Sequence, residues 1–112
     1  ELLAEELGLA DTEWVTTFQS RFGPAEWMQP YTDKTLEALP AKGIKRLQVT
    51  CPAFSADCLE TLEEMAIENR DLYLESGGES YQYIPALNAQ ADFITLLGTL
   101  VNEQAGDWVG ER

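Results

Sequence analysis

Residues 51–68 read CPAFSADCLETLEEMAIE, and the reading of this stretch decides the fold. An apolar segment over residues 44–51 runs into a turn opened by Pro52. That turn carries Phe54 and Ser55, and a helix is predicted from Asp57 onward. Strand, loop and helix in that order form the unit in which α/β proteins place their sites, because strand C-ends and helix N-ends meet there. Asp57 is a good N-cap, and with Glu60 three residues later it fits a capping box.

The predicted helix, residues 57–75, has two unlike faces. At 3.6 residues per turn Cys58, Leu62, Met65, Ala66, Asn69, Leu72 and Tyr73 fall on one side. Glu60, Glu64, Glu68 and Asp71 fall on the other. Like charges at i, i+4 and i+8 repel, at ~0.2–0.5 kcal/mol per pair on an exposed helix. A chain tolerates that for solubility, or because a cation sits among the carboxylates. From periodicity alone, a solvated acidic face is the plain reading.

Working outward, residues 14–19 (WVTTFQ) are β-branched and aromatic and read as a strand. Residues 20–30 form a loop with two prolines, a glycine and Trp27. Thr32-Asp33 caps a short helix over 34–39, closed by Pro40 and Gly43. Residues 44–51 are a second strand, and Gly77-Gly78 stops the long helix. Residues 80–84 are a third strand with Tyr81 and Tyr83 alternating. Asn88 caps a last helix over 89–101, with Phe93, Leu96, Leu97 and Leu100 as its apolar stripe. Residues 104–112 read as a frayed tail, with Trp108 able to dock. Strands alternating with helices imply crossovers, hence an α/β fold: three layers, with a mainly parallel sheet flanked by helices.

With 112 residues the chain is long enough for one domain, 1–112. Twenty acids against seven bases give a net charge of −13, which excludes a nucleic-acid surface and disfavours anionic lipid. No run approaches the ~20 apolar residues of a membrane helix. Two cysteines, Cys51 and Cys58, are separated by six residues, and the chain has no histidine. That is not a zinc spacing, and nothing else completes a site. Reduced thiols fit a cytoplasmic protein, with peripheral attachment to an inner membrane left open. The abrupt amphipathic start at Glu1 reads as a piece excised from something longer.

Several motifs in order resemble one family, the ferrochelatases, which insert ferrous iron into a porphyrin to make haem. PAFSADCLETLEEMAIE is similar to that family's C-terminal signature. Residues 19–33 (QSRFGPAEWMQPYTD) look like its QSR-x-G-x-x-x-W-x-x-P-x-T-D segment. Asn69-Arg70 through Gly77-Gly78, and residues 83–88 (YIPALN), follow in order and spacing. The resemblance spans about residues 14–103.

The resemblance implies that this chain is the C-terminal half of a two-domain chelatase. The missing N-terminal half would carry a histidine facing the catalytic glutamate across the porphyrin cleft. It makes Glu60 that glutamate, as proton acceptor or transient iron ligand. Glu64 would be a second metal contact, and Glu68 and Asp57 supporting residues. It makes Ser20, Trp27 and Phe54 porphyrin-facing, and it widens the start of the long helix into a π-turn. Crowded carboxylates there would raise at least one pKa. Cys58 stands where many relatives have histidine, as is common in the bacterial branch. Porphyrin and ferrous iron are substrates, and no tightly bound cofactor is expected. Some relatives hold an iron–sulfur cluster on C-terminal cysteines; residues 102–112 contain none, so no cluster is expected. CLETLEE rather than HLEVLY favours protoporphyrin IX over coproporphyrin. Two alternatives stand beside this reading: a non-catalytic acidic interaction domain, and a cobalt or nickel chelatase of the same fold. An excised half is also expected to be inactive alone and to self-associate through its uncovered face.

Overall fold

A computed structural model describes residues 1–109. Two parallel strands, β1 (Arg46–Thr50) and β2 (Ser80–Ile84), pair in register from Arg46 opposite Ser80 to Thr50 opposite Ile84. Between them the chain crosses over through a π-helix (Glu60–Glu68) that continues as an α-helix. The other helices are α1 (Leu2–Glu6), α2 (Thr32–Ala38) and α4 (Ala91–Val109); α3 is the α-helical continuation, Asn69–Glu75. A short 3₁₀ turn, Pro40–Lys42, ends at Gly43, whose φ of 88° is the left-handed conformation that favours glycine. No helix among the described residues is long and apolar enough to cross a membrane.

The alternation predicted for residues 80–84 is seen, and β1, read only as an apolar segment, alternates as well. Leu47, Val49, Tyr81 and Tyr83 turn inward, while Arg46, Gln48, Gln82 and Thr50 face out. The core lies between this sheet and the crossover. Tyr73, Met65, Thr61 and Leu36 are its buried side chains, with the Tyr73 and Tyr81 rings 5.9 Å apart. The Tyr73 hydroxyl donates to the Ile44 carbonyl at 2.9 Å, and the Tyr81 hydroxyl to Met65 at 2.8 Å.

The α/β class and the parallel sheet hold, with corrections. Residues 14–19 are not a strand: Phe18 makes one bridge to Tyr31, through Phe18 N–H to Pro30 O and Thr32 N–H to Phe18 O. Strand propensity needs a partner edge, and only one residue here meets one. The sheet therefore has two strands among the described residues, not three. α2 starts two residues earlier than predicted, with Thr32 inside it and no side-chain cap. Leu62, placed on the buried face by a 3.6 period, is 51 % exposed, and Thr61 is buried instead. The π-widening moves the inward stripe to Thr61, Met65, Asn69 and Tyr73. α4 runs to Val109, through most of the segment expected to fray; residues 110–112 lie outside the described residues. Trp108 does not dock, being 89 % exposed, and Leu96, Leu97 and Leu100 stay 41–51 % exposed on α4.

Candidate functional site

Side chains add hydrogen bonds to the carbonyls along the π-helix. Gln19 Nε2 donates to Glu60 O at 2.9 Å, Asn69 Nδ2 to Glu64 O at 2.9 Å, and Tyr81 reaches Met65 O. The widening turns Glu60, Glu63, Glu64 and Glu68 toward one cleft of about 840 Å³. That volume is within the ~300–1,000 Å³ usual for small-molecule and cofactor sites. The facing wall is the 18–33 segment, including Gln19, Ser20, Arg21 and Asp33.

Ser20 is the hinge of that wall. It sits at φ 60°, uncommon for a residue with a side chain. There its backbone N–H donates to Glu64 Oε1 at 2.8 Å and its hydroxyl donates to Glu64 Oε2. Gln19 adds a second tie, accepting from the Cys51 thiol at 3.2 Å while donating to the π-helix. Arg21 lies 4.2 Å over the Tyr31 ring and pairs with Asp33 at the rim.

The structure thus brings together Ser20, Glu60, Glu64 and Glu68 of the sequence-derived set. It does not bring Trp27, Phe54 or Asp57 into the cleft. Trp27 is 44 % exposed on the loop, its Nε1 donating to Phe22 O at 2.7 Å. Phe54 is half-buried in the turn after β1. The capping box does not form either. Asp57 accepts from the Thr61 hydroxyl, which in turn accepts from Cys58 N–H at 3.0 Å. Asn88 does not cap α4; its side chain turns back to Asp57. Gln19 and Arg21, whose only signal is their place in the QSR motif, and Glu63, which a 3.6 period puts off the ladder, line the site without an assigned role in the sequence reading.

Glu60 is held in its charged form by its neighbours. The Cys58 thiol, then the glutamate's own backbone N–H, hold its carboxyl below the ordinary range. Glu60 therefore stays ionised at neutral pH, which suits attraction of a cation. Burial first, then the nearby charge of Glu64, pushes the Cys51 thiol up to about 11, so it is a neutral donor to Gln19. Among the described residues no three His, Cys, Asp or Glu side chains converge as a metal-holding set. The arrangement offers the ionised Glu60 at the cleft, with the Glu64 side chain already engaged by serine.

Asp57 is held at about 2, through its hydrogen bonds from Asn88 and Tyr83 first. A carboxyl lowered from its unfolded value near ~3.9 adds stability above that pH and loses it as pH falls through the folded value. Asp57→Asn is therefore less stable than wild type at neutral pH, and the gap closes between about pH 4 and pH 2. Urea midpoints from pH 7 to pH 2 measure it; a gap constant over that range contradicts the assignment.

A family model described as ferrochelatase matches residues 1–105. The chain is 58 % identical over 107 residues to a ferrochelatase of Pseudoalteromonas atlantica, covering 96 % of this chain and 30 % of that protein. It is 58 % identical to one from Idiomarina loihiensis, covering 96 % and 29 %. Against one from Actinobacillus pleuropneumoniae serotype 3 it is 57 % identical over 101 residues, covering 90 % and 32 %. The chain spans about 30 % of the length of the curated relatives it matches.

Proposed function

The chain belongs to the ferrochelatase family, and from that premise we propose that it supplies the carboxylate-bearing wall of a site where ferrous iron enters protoporphyrin IX. The observation that carries the proposal is the π-helix, which aims Glu60, Glu63, Glu64 and Glu68 into a cleft of porphyrin scale. Insertion needs a cation delivered to the ring centre and two pyrrole protons accepted. Oxygen ligands that hold Fe²⁺ weakly suit the first need, and a carboxylate within hydrogen-bond reach the second.

Glu60, ionised and at the cleft mouth, meets the metal and accepts a proton. Glu64, tied to Ser20, is the second metal contact, and Glu68 extends the acidic track. Ser20 borders the porphyrin through the loop it hinges. Trp27 and Phe54 keep a porphyrin-facing role only if the loop and turn that carry them close onto the bound ring. The opposite wall, with the histidine of the family resemblance, belongs to the part of the relatives' length that this chain does not span. The exposed stripe of α4 is the face that such a part would cover; uncovered, it drives self-association. The protein is proposed to act in the cytoplasm, with no resident cofactor and no iron–sulfur cluster.

The test is metal insertion by a family-length chain carrying this sequence, followed by porphyrin absorbance with Fe²⁺, Co²⁺ and Ni²⁺. Insertion of Fe²⁺ into protoporphyrin supports the reading. Preference for Co²⁺ or Ni²⁺ moves it to another chelatase, and no insertion with any metal leaves an acidic interaction domain.

A further inference from the structure

Outside the cleft, the densest polar cluster is built around Asp57. Its Oδ1 accepts from the Tyr83 hydroxyl at 2.8 Å, the Thr61 hydroxyl at 2.9 Å and Ala86 N–H at 3.3 Å. Its Oδ2 accepts from Asn88 Nδ2 at 2.9 Å. A carboxylate oxygen offers about two lone-pair sites, so Oδ1 is filled and Oδ2 keeps one site beside Asn88; Asp57 does not line the cleft, which keeps that site away from a metal or a substrate proton held there. The pairing with Asn88 is reciprocal, because Asp57 N–H donates to Asn88 Oδ1 at 2.8 Å. Asn88 itself stands at φ 52°, held there by its N–H to Ser55 O and its amide to Ala86 O.

Three elements meet at this point: the end of β2, the loop into α4, and the first turn of the crossover helix. Thr61 passes the restraint on, because its hydroxyl also accepts from Cys58 N–H, and Cys58 O takes Thr61 and Leu62 N–H. Glu60 lies inside that turn. We propose that Asn88 and Asp57 are positioning residues: a reciprocal clamp that fixes the first turn of the π-helix and so aims Glu60 into the cleft, with Asp57 itself taking no part in proton or metal transfer. The effect on catalysis rests on the chelatase reading above; the clamp itself does not.

Two readouts keep those apart, both on a family-length chain. The first needs no activity. Asn88→Ala accelerates amide exchange at Cys58 and Leu62 at least ~10-fold, since the turn opens locally; unchanged rates overturn the clamp. The second is kinetic. Asn88→Ala lowers kcat about 10-fold with both KM values within about 2-fold, as expected when a reacting group is misplaced rather than removed. In a Glu60→Gln background the same change costs less than about 2-fold, because the two act through one group. The exchanged pair Asp57→Asn with Asn88→Asp, which restores a donor facing an acceptor, recovers more turnover than either single change. Equal losses in both backgrounds, or no recovery in the exchanged pair when Asp57→Asn alone abolishes turnover, overturn the positioning role and make Asp57 a chemical participant. If Asn88→Ala does not fold, the exchanged pair and its singles decide. A wild-type chain that inserts no metal sinks the proposed function, and amide exchange then decides the clamp alone.

Discussion

The 112-residue chain alone inserts metal into protoporphyrin at least ~10²-fold more slowly than a chain of the family's full length. The reason is geometric. Glu60 stands exposed at the mouth of a cleft whose walls, in this chain, are the π-helix and the 18–33 segment. A porphyrin lying there would have its other face in water, which competes for the metal and screens the carboxylates. Positioning the two reactants accounts for a large part of such a barrier, and an open wall gives most of it up. The assay is absorbance change on Zn²⁺ or Fe²⁺ insertion at matched protein concentration. Equal turnover by the two chains means that the site is complete within these residues and that the two-walled cleft is wrong.

Gly78→Ala destabilises the domain by about 3 kcal/mol, at the upper end of what overpacking usually costs. A Cβ at Gly78 would stand 2.2–2.7 Å from three atoms of the Tyr73 ring. That ring cannot give way easily, being buried, held at its hydroxyl by Ile44 O and packed against Tyr81. Urea midpoints measure the loss. Tyr73→Leu in the Gly78→Ala background recovers part of it, because a shorter side chain frees the space, whereas Tyr73→Leu alone destabilises. A Gly78→Ala midpoint within error of wild type would mean that α3 and β2 do not meet as described.

What the sequence made legible, and what it hid, follows from periodicity. Residues 80–84 alternate and are bounded by turn residues, so β2 was readable to the residue. β1 was read with two residues extra at its start and one at its end, because Ile44, Lys45 and Cys51 continue its pattern outside the paired register, although the Lys45 carbonyl still accepts Glu79 and Ser80 N–H. Residues 14–19 have strand composition, but composition does not supply an edge to pair with. The π-helix is invisible to a 3.6 period, and only the family resemblance anticipated it. It accounts for both errors on that helix, Leu62 placed inside and Glu63 placed off the acidic ladder. The clamp was hidden for another reason: Asp57 and Asn88 are 31 residues apart, and each has an ordinary local use as a cap. α4 outran its predicted end because residues 102–109 carry no breaker strong enough to end a helix.

The central claim is that the π-helix carboxylates carry the chemistry, and Glu60 tests it most directly. Glu60→Gln keeps shape and removes charge and basicity. Its side chain is exposed and its contacts are the Cys58 thiol and its own backbone N–H, which the glutamine carbonyl can also accept, so the melting temperature falls only slightly. Glu63→Gln, neutral by a 3.6 period, is not a fair control, since Glu63 lines the same cleft; Glu75→Gln, exposed at the end of α3 and outside the cleft, is. In a family-length chain, kcat for Fe²⁺ insertion into protoporphyrin falls at least ~10²-fold for Glu60→Gln, the lower range for losing a general base, and is unchanged for Glu75→Gln. Near-normal kcat for Glu60→Gln in a folded chain would contradict the account and return the acidic helix face to a merely solvated one.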